Sequence, residues 1–175
     1  TFAGNHAGKN GGGLYVNGLR NQPAQVLLER VRFVQNHAGS EGGGANFNGY
    51  VQARLSECGF EKNDAGSFGG GLVTIGFEVA RTRVELSKCA FNLNKARWGG
   101  ALQVGKSAEL VAKDLHLESN TASREGGALY TRGLSPTEQA HLELEDGRVN
   151  HNRASSSGGG LYLGSFSAVE LRGTT

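Results

Sequence analysis

Phe-Asn-Leu-Asn-Lys-Ala-Arg-Trp-Gly-Gly-Ala-Leu, residues 91–102, holds the signature of a unit that recurs along the chain. Asn94 is followed by Ala two places on, then by a glycine run and Leu. The same order returns at Asn5, Asn36, Asn63, Asn120 and Asn152, with Ala45 in place of the Leu after Asn36, at intervals of 26 to 32 residues. A period in this range marks a repeat architecture, in which each unit is a small supersecondary element stacked on the next.

Aligned on the Asn, the columns alternate in a way that specifies strands. Three residues earlier stand Phe2, Phe33, Phe60, Phe91, Leu117 and Val149. Five earlier come Val31, Cys58, Cys89, Leu115 and Gly147, and eight and ten earlier come pairs such as Leu86 with Val84. A spacing of two buries one face of a strand, and the step of three between Leu86 and Cys89 bends the chain. After the glycines comes another apolar pair, Leu14 with Val16 or Leu102 with Val104. Each repeat therefore offers three short strands, too rich in Gly and β-branched residues to be helical. One repeat cannot bury its apolar face alone. Stacked coils about 4.8 Å apart can, with like residues over like. The expected fold is all-β, a right-handed parallel β-helix of about six rungs, uncapped. The Asn column suits an amide ladder at a turn, each side chain bonding its own backbone and the amide above.

Composition narrows the function. The 29 glycines follow no three-residue period, which excludes collagen. A net charge of +2 with scattered signs gives no footprint for nucleic acid. No apolar run reaches the roughly 18 residues that span a bilayer, so no direct membrane insertion is expected. The chain begins in mid-rung at Phe2 and stops at Val169–Leu171, the first strand of a further rung. It reads as one β-helix segment, 1–175, internal to a longer solenoid, with the other regions of that chain as its first partners.

The segments Phe-Val-Gln-Asn (33–36), Phe-Glu-Lys-Asn (60–63) and Phe-Asn-Leu-Asn (91–94) resemble an F-x-x-N motif. Gly-Gly-Ala-Leu (99–102, 126–129) and Gly-Gly-Gly-Leu (11–14, 69–72, 158–161) resemble its G-G-A-[ILV] partner. The pair is similar to the repeats of chlamydial polymorphic outer membrane proteins, whose passengers are autotransported. That resemblance implies a pectate-lyase-like β-helix at the cell surface or outside the cell, with adhesion as its associated role.

Candidate chemistry is sparse. Cys58 and Cys89 share a column in adjacent rungs, close enough for a stapling disulfide, although stacked side chains point parallel and two buried thiols fit as well. His6, His37 and Asp64 stand on consecutive rungs, a set that could hold a transition metal; a solvated outer face is the plainer reading. The column Arg30, Glu57, Lys88, Asp114 and Asp146 alternates in sign, which suggests a ladder of surface ion pairs. Asp114 beside Asp146, with His116 and Arg148 nearby, is the nearest approach to a catalytic pair. It lacks a full set of acid, base and orienting group, so no enzyme and no cofactor is expected. Tyr130 and Tyr162 follow the glycine-strand Leu on adjacent rungs and should point outward, as contacts for a glycan or a protein.

The function expected from these residues is structural and adhesive: a rigid rod displaying its outer face to proteins or glycans at the cell surface. The structural residues are the Asn ladder with Phe33, Phe60 and Phe91. The competing readings are a carbohydrate-active or glycan-binding β-helix and the subunit of an extracellular filament.

Overall fold

A computed structural model describes residues 1–77 and 82–175, and these form a parallel β-helix of six turns. Four six-stranded parallel sheets run its length. One turn shows the plan, with strands Gly59–Glu61, Asp64–Ala65, Leu72–Ile75 and Thr82–Ser87. We call the sheets they join the Phe, short, glycine and long sheets. No helix occurs among the described residues.

Three strands per turn were expected, and there are four. The additional sheet is made of two-residue strands immediately after each Asn, such as His37–Ala38 and Lys95–Ala96. The Ala of each pair turns into the core, with Ala38 and Ala122 fully buried. A strand of two residues has no periodicity to read, so only the invariant small residue announces it.

Register is strict. Phe2, Phe33, Phe60, Phe91, Leu117 and Val149 are partners in one continuous column. The four phenyl rings stack at 4.9, 4.6 and 4.3 Å, within 8° of parallel. They fill the core beside Leu55, Leu72, Leu102 and Leu110.

Corners come from left-handed backbone. The first glycine of each run has positive φ, from +55° at Gly69 to +67° at Gly126. So does the residue before each Asn: Gly4, Gln35, Lys62, Leu93, Ser119 and His151. A third corner falls at Arg30, Glu57, Lys88, Asp114 and Asp146, with φ between 51° and 53°. This is the column read as an ion-pair ladder, and among the described residues it forms no such ladder. In-register strand neighbours project side by side and do pair, as in Lys113–Glu145 at 3.1 Å, whereas a residue at the αL corner is placed by its backbone turn. Each non-glycine residue held there costs on the order of 1 kcal/mol, which the surrounding ladder must hold in place.

The third glycine position shows how packing sets the motif. A Cβ on Gly71 would stand 2.7 Å from Cδ1 of Phe91, and on Gly44 it would stand 2.8 Å from Phe60. In the two rungs whose next neighbours are Leu117 and Val149, the same position is Ala101 and Ala128. Glycine is required where a phenyl ring lies across from it and is dispensable where it does not. Gly71→Ala should therefore destabilise by about 1–3 kcal/mol through overpacking. Adding Phe91→Leu should recover part of that loss, a coupling that a double-mutant cycle in urea would measure. Strict additivity of the two changes would refute the packing account.

Candidate functional site

The Asn column is an unbroken amide ladder. Asn36, Asn63, Asn94 and Asn120 are buried to within 1% of full exclusion. Nδ2 of Asn63 donates to the Phe33 carbonyl at 2.9 Å and to Oδ1 of Asn94 at 3.0 Å. Its own Oδ1 accepts from the backbone N–H and from Nδ2 of Asn36, both at 3.0 Å. The same contacts recur from Asn5 to Asn152. The bonded backbone groups thus belong to the preceding rung and not to the same residue, as the sequence reading had it. Within the ladder every buried side-chain amide atom has a partner, which is the condition under which such a column is stabilising.

Both cysteines are free, buried thiols in the structure. Each sulfur points in the same direction and donates to carbonyl oxygens. Cys58 Sγ reaches Leu28 O and Ser56 O, and Cys89 Sγ reaches Leu55 O and Ser87 O, at 3.4–3.5 Å. The hydrogen bond with Cys58 and burial push the Cys89 thiol up from its ordinary pKa. Of the two readings open from the sequence, the structure shows parallel thiols that fill the column and no staple. Denaturation without reductant should expose two alkylatable thiols per chain, and the native chain almost none. Recovery of a chain two mass units lighter, with no reactive thiol, would show the staple instead.

His6, His37 and Asp64 do not converge. The two imidazoles stack at 4.8 Å, and Nδ1 of His37 lies 3.0 Å from Oδ2 of Asp64. No group of three metal-binding side chains is gathered among the described residues. Asp114 and Asp146 sit on successive αL corners, and neither lines the grooves described below.

The tyrosines depart from expectation. Tyr130 is only 5% exposed and stacks on Tyr162 at 5.3 Å. Its column includes Asn46, Val73 and Gln103, which are also buried although they face away from the core. A second layer covers them. It is the strip of residues just before the glycine run, bridged through Asn10, Glu41, Phe68 and Trp98. Phe68 stacks on Trp98 at 4.9 Å and lies 6.1 Å from Tyr130. Nε1 of Trp98 donates to Glu125, and Nδ2 of Asn46 to Glu41 at 3.3 Å. Tyr130 is thus a packing residue, and only Tyr162 keeps a partly open ring. Phe68 and Trp98 are the residues that sequence reasoning passed over. Two aromatics directly before glycine runs in adjacent rungs were the available sign.

On the long sheet, a shallow groove of about 600 Å³ is lined by Gln25, Leu27, Gln52, Arg54, Arg83 and Glu85. Its charges are mutually satisfied. Glu85 accepts from Arg54 at 2.8 Å and from Arg83 at 3.0 Å, while Arg83 also reaches Glu109 at 2.7 Å. The hydrogen bond from Arg54, then that from Arg83, holds the Glu85 carboxyl below the usual carboxylate range. A depressed carboxylate pKa contributes stability above the unfolded-state pKa, and this is lost as pH falls through the folded-state value. The cluster is largely exposed, so Glu85→Gln should cost less than about 1 kcal/mol at pH 7, with the difference vanishing in acid melts.

The repeat columns, the buried Asn ladder and the glycine corners together make up one recurring unit. Residues 1–17 match the Chlamydia polymorphic membrane protein repeat. The matched stretch holds Phe2, Asn5 and Gly-Gly-Gly-Leu (11–14); the Asn and the Gly-Gly pair recur in all five following turns, and the Phe in the next three. No curated protein and no solved structure matches the chain. A repeat of this type implies a surface-exposed, autotransporter-type β-helical protein at the outer membrane or cell surface, and the family it marks is not one of enzymes.

Proposed function

We propose that the chain is a rigid, contact-bearing segment of a surface rod, and that its outer face makes adhesive contacts. The observation that carries this reading is the continuity of the buried ladder. The Asn amides and the apolar columns repeat without interruption through every turn, with phenyl rings stacked in the first four, so the interior is committed to stiffness. What varies between turns is the exposed residues, which such a frame holds at fixed spacing. Regularly spaced weak contacts gain through effective concentration. The other regions of a longer solenoid, with proteins or glycans at an opposing cell surface, are the partners we assign.

Beads coated with the chain should attach to cultured cell monolayers. A variant with the exposed side chains of the short and Phe sheets replaced by Ser, and the core retained, should not attach. Equal attachment of both would sink the adhesive reading.

A further inference from the structure

We propose that the face formed by Lys95, Arg97, Arg124 and Arg153 binds a linear anionic polysaccharide through its sulfate or carboxylate groups. The proposal rests on the reading of the outer face as a contact surface and names its ligand class. Lys95, Thr121 and Arg153 occupy one column of the short sheet on successive turns. Arg97 and Arg124 follow on adjacent turns, joined by the bond from the Arg124 N–H to the Arg97 carbonyl. The four cations thus lie within three turns, a span of about 10 Å along the axis at the usual strand spacing.

These cations differ from those of the long sheet. Arg54, Arg83 and Lys113 are neutralised by Glu85, Glu109 and Glu145. No ion pair among the described residues involves Lys95, Arg97, Arg124 or Arg153, and all four are exposed. The Arg97 guanidinium lies over the Trp98 ring, 4.4 Å from its centroid, and that ring is itself stacked on Phe68. This contact holds one charged fork in place before any ligand arrives, which lowers the ordering cost of binding. A shallow groove runs between the columns, lined by Lys95, Arg97, Thr121 and Ser123. Its hydroxyls suit sugar hydroxyls, and guanidinium groups suit planar or tetrahedral oxyanions. Asp64 closes the other end of the groove, where it faces His37, so the polymer should run from Lys95 towards Arg153. Nucleic acid is the less suitable polyanion, because single strands bind by stacking bases on open aromatic rings, and the Trp98 ring is taken by Phe68 and Arg97.

The test measures binding of the chain to heparin, hyaluronan, neutral dextran and oligo-dT as salt is raised. Heparin carries sulfates and carboxylates and hyaluronan carboxylates alone, so binding to heparin but not to hyaluronan marks sulfate recognition. The proposal expects one of these two to bind and dextran not to bind. The triple variant K95S/R124S/R153S, which spares the Trp98 stack, should lose at least about ten-fold in affinity, with a salt slope shallower by about 2–3. Arg97→Lys keeps the charge but not the planar fork, and should also weaken binding. A charge-matched variant, R30S/K88S/R148S, should bind as the parent does. Equal loss in both triple variants, oligo-dT binding as tight as the better glycan, or no glycan binding at low salt would each overturn the proposal. If the K95S/R124S/R153S beads still attach to cells while no glycan binds, the adhesive reading stands with another ligand. Loss of both properties from the folded parent chain would remove both.

Discussion

Asn63→Ala should lower the melting temperature by about 10 °C and open the middle of the rod to proteases. The change deletes both hydrogen bonds donated by Nδ2 and both accepted by Oδ1. It leaves the backbone N–H of Asn36 without its acceptor at a site excluded from water. A lost neutral hydrogen bond is worth about 1 kcal/mol and an orphaned buried donor about 1–3, so a total near 3–5 kcal/mol is expected. For a chain of this size each kcal/mol moves the transition by about 2–4 °C. Stability in a stacked repeat is a sum of local and nearest-neighbour contributions, so the damage should concentrate in the turns around Asn36 and Asn94. Thermal melts with limited proteolysis and mapping of the cleavage sites would read both effects. An unchanged melt with no new cleavage would contradict the role given to the ladder.

Gly70→Ala should prevent the fold from forming. A Cβ at this position would lie 2.3 Å from the Lys95 carbonyl oxygen, 2.4 Å from the Gly100 carbonyl oxygen and 2.6 Å from the Lys95 nitrogen. All three are backbone atoms of the next turn, with no flexible side chain to move aside. Relief requires separating two turns and breaking their ladder bonds, which places the substitution among the rare changes costing more than about 4 kcal/mol. The contrast with Gly71 is informative, because there the closest obstacle is a side chain that a second substitution can shorten. Circular dichroism and denaturant unfolding should show no cooperative transition for Gly70→Ala. A stable, cooperatively folded variant would mean that the turns approach less closely than described.

Much of this fold can be read from the residues. The Asn, Phe and glycine columns align in the sequence just as they pair in space, because a parallel solenoid converts sequence period directly into register. What the sequence concealed had physical reasons. The two-residue strands after each Asn are too short to show alternation. The αL corner at Arg30, Glu57, Lys88, Asp114 and Asp146 carries no glycine, so its charges suggested a surface role and not a backbone one. Tyr130 looked exposed because strand alternation points it away from the core, and only a separate strip led by Phe68 and Trp98 buries it. The cationic face was hidden because the net charge of the whole chain is small, while local pairing decides which charges stay free.

Buried, mutually bonded Asn amides hold the turns together. Side-chain amide exchange, measured by NMR on a chain labelled with 15N at asparagine, tests this most directly. The Nδ2 protons of Asn36, Asn63, Asn94 and Asn120 should exchange as slowly as the core backbone amides, and those of exposed Asn17 and Asn21 within the dead time. Fast exchange at all six side chains would contradict the ladder and, with it, the rigid rod.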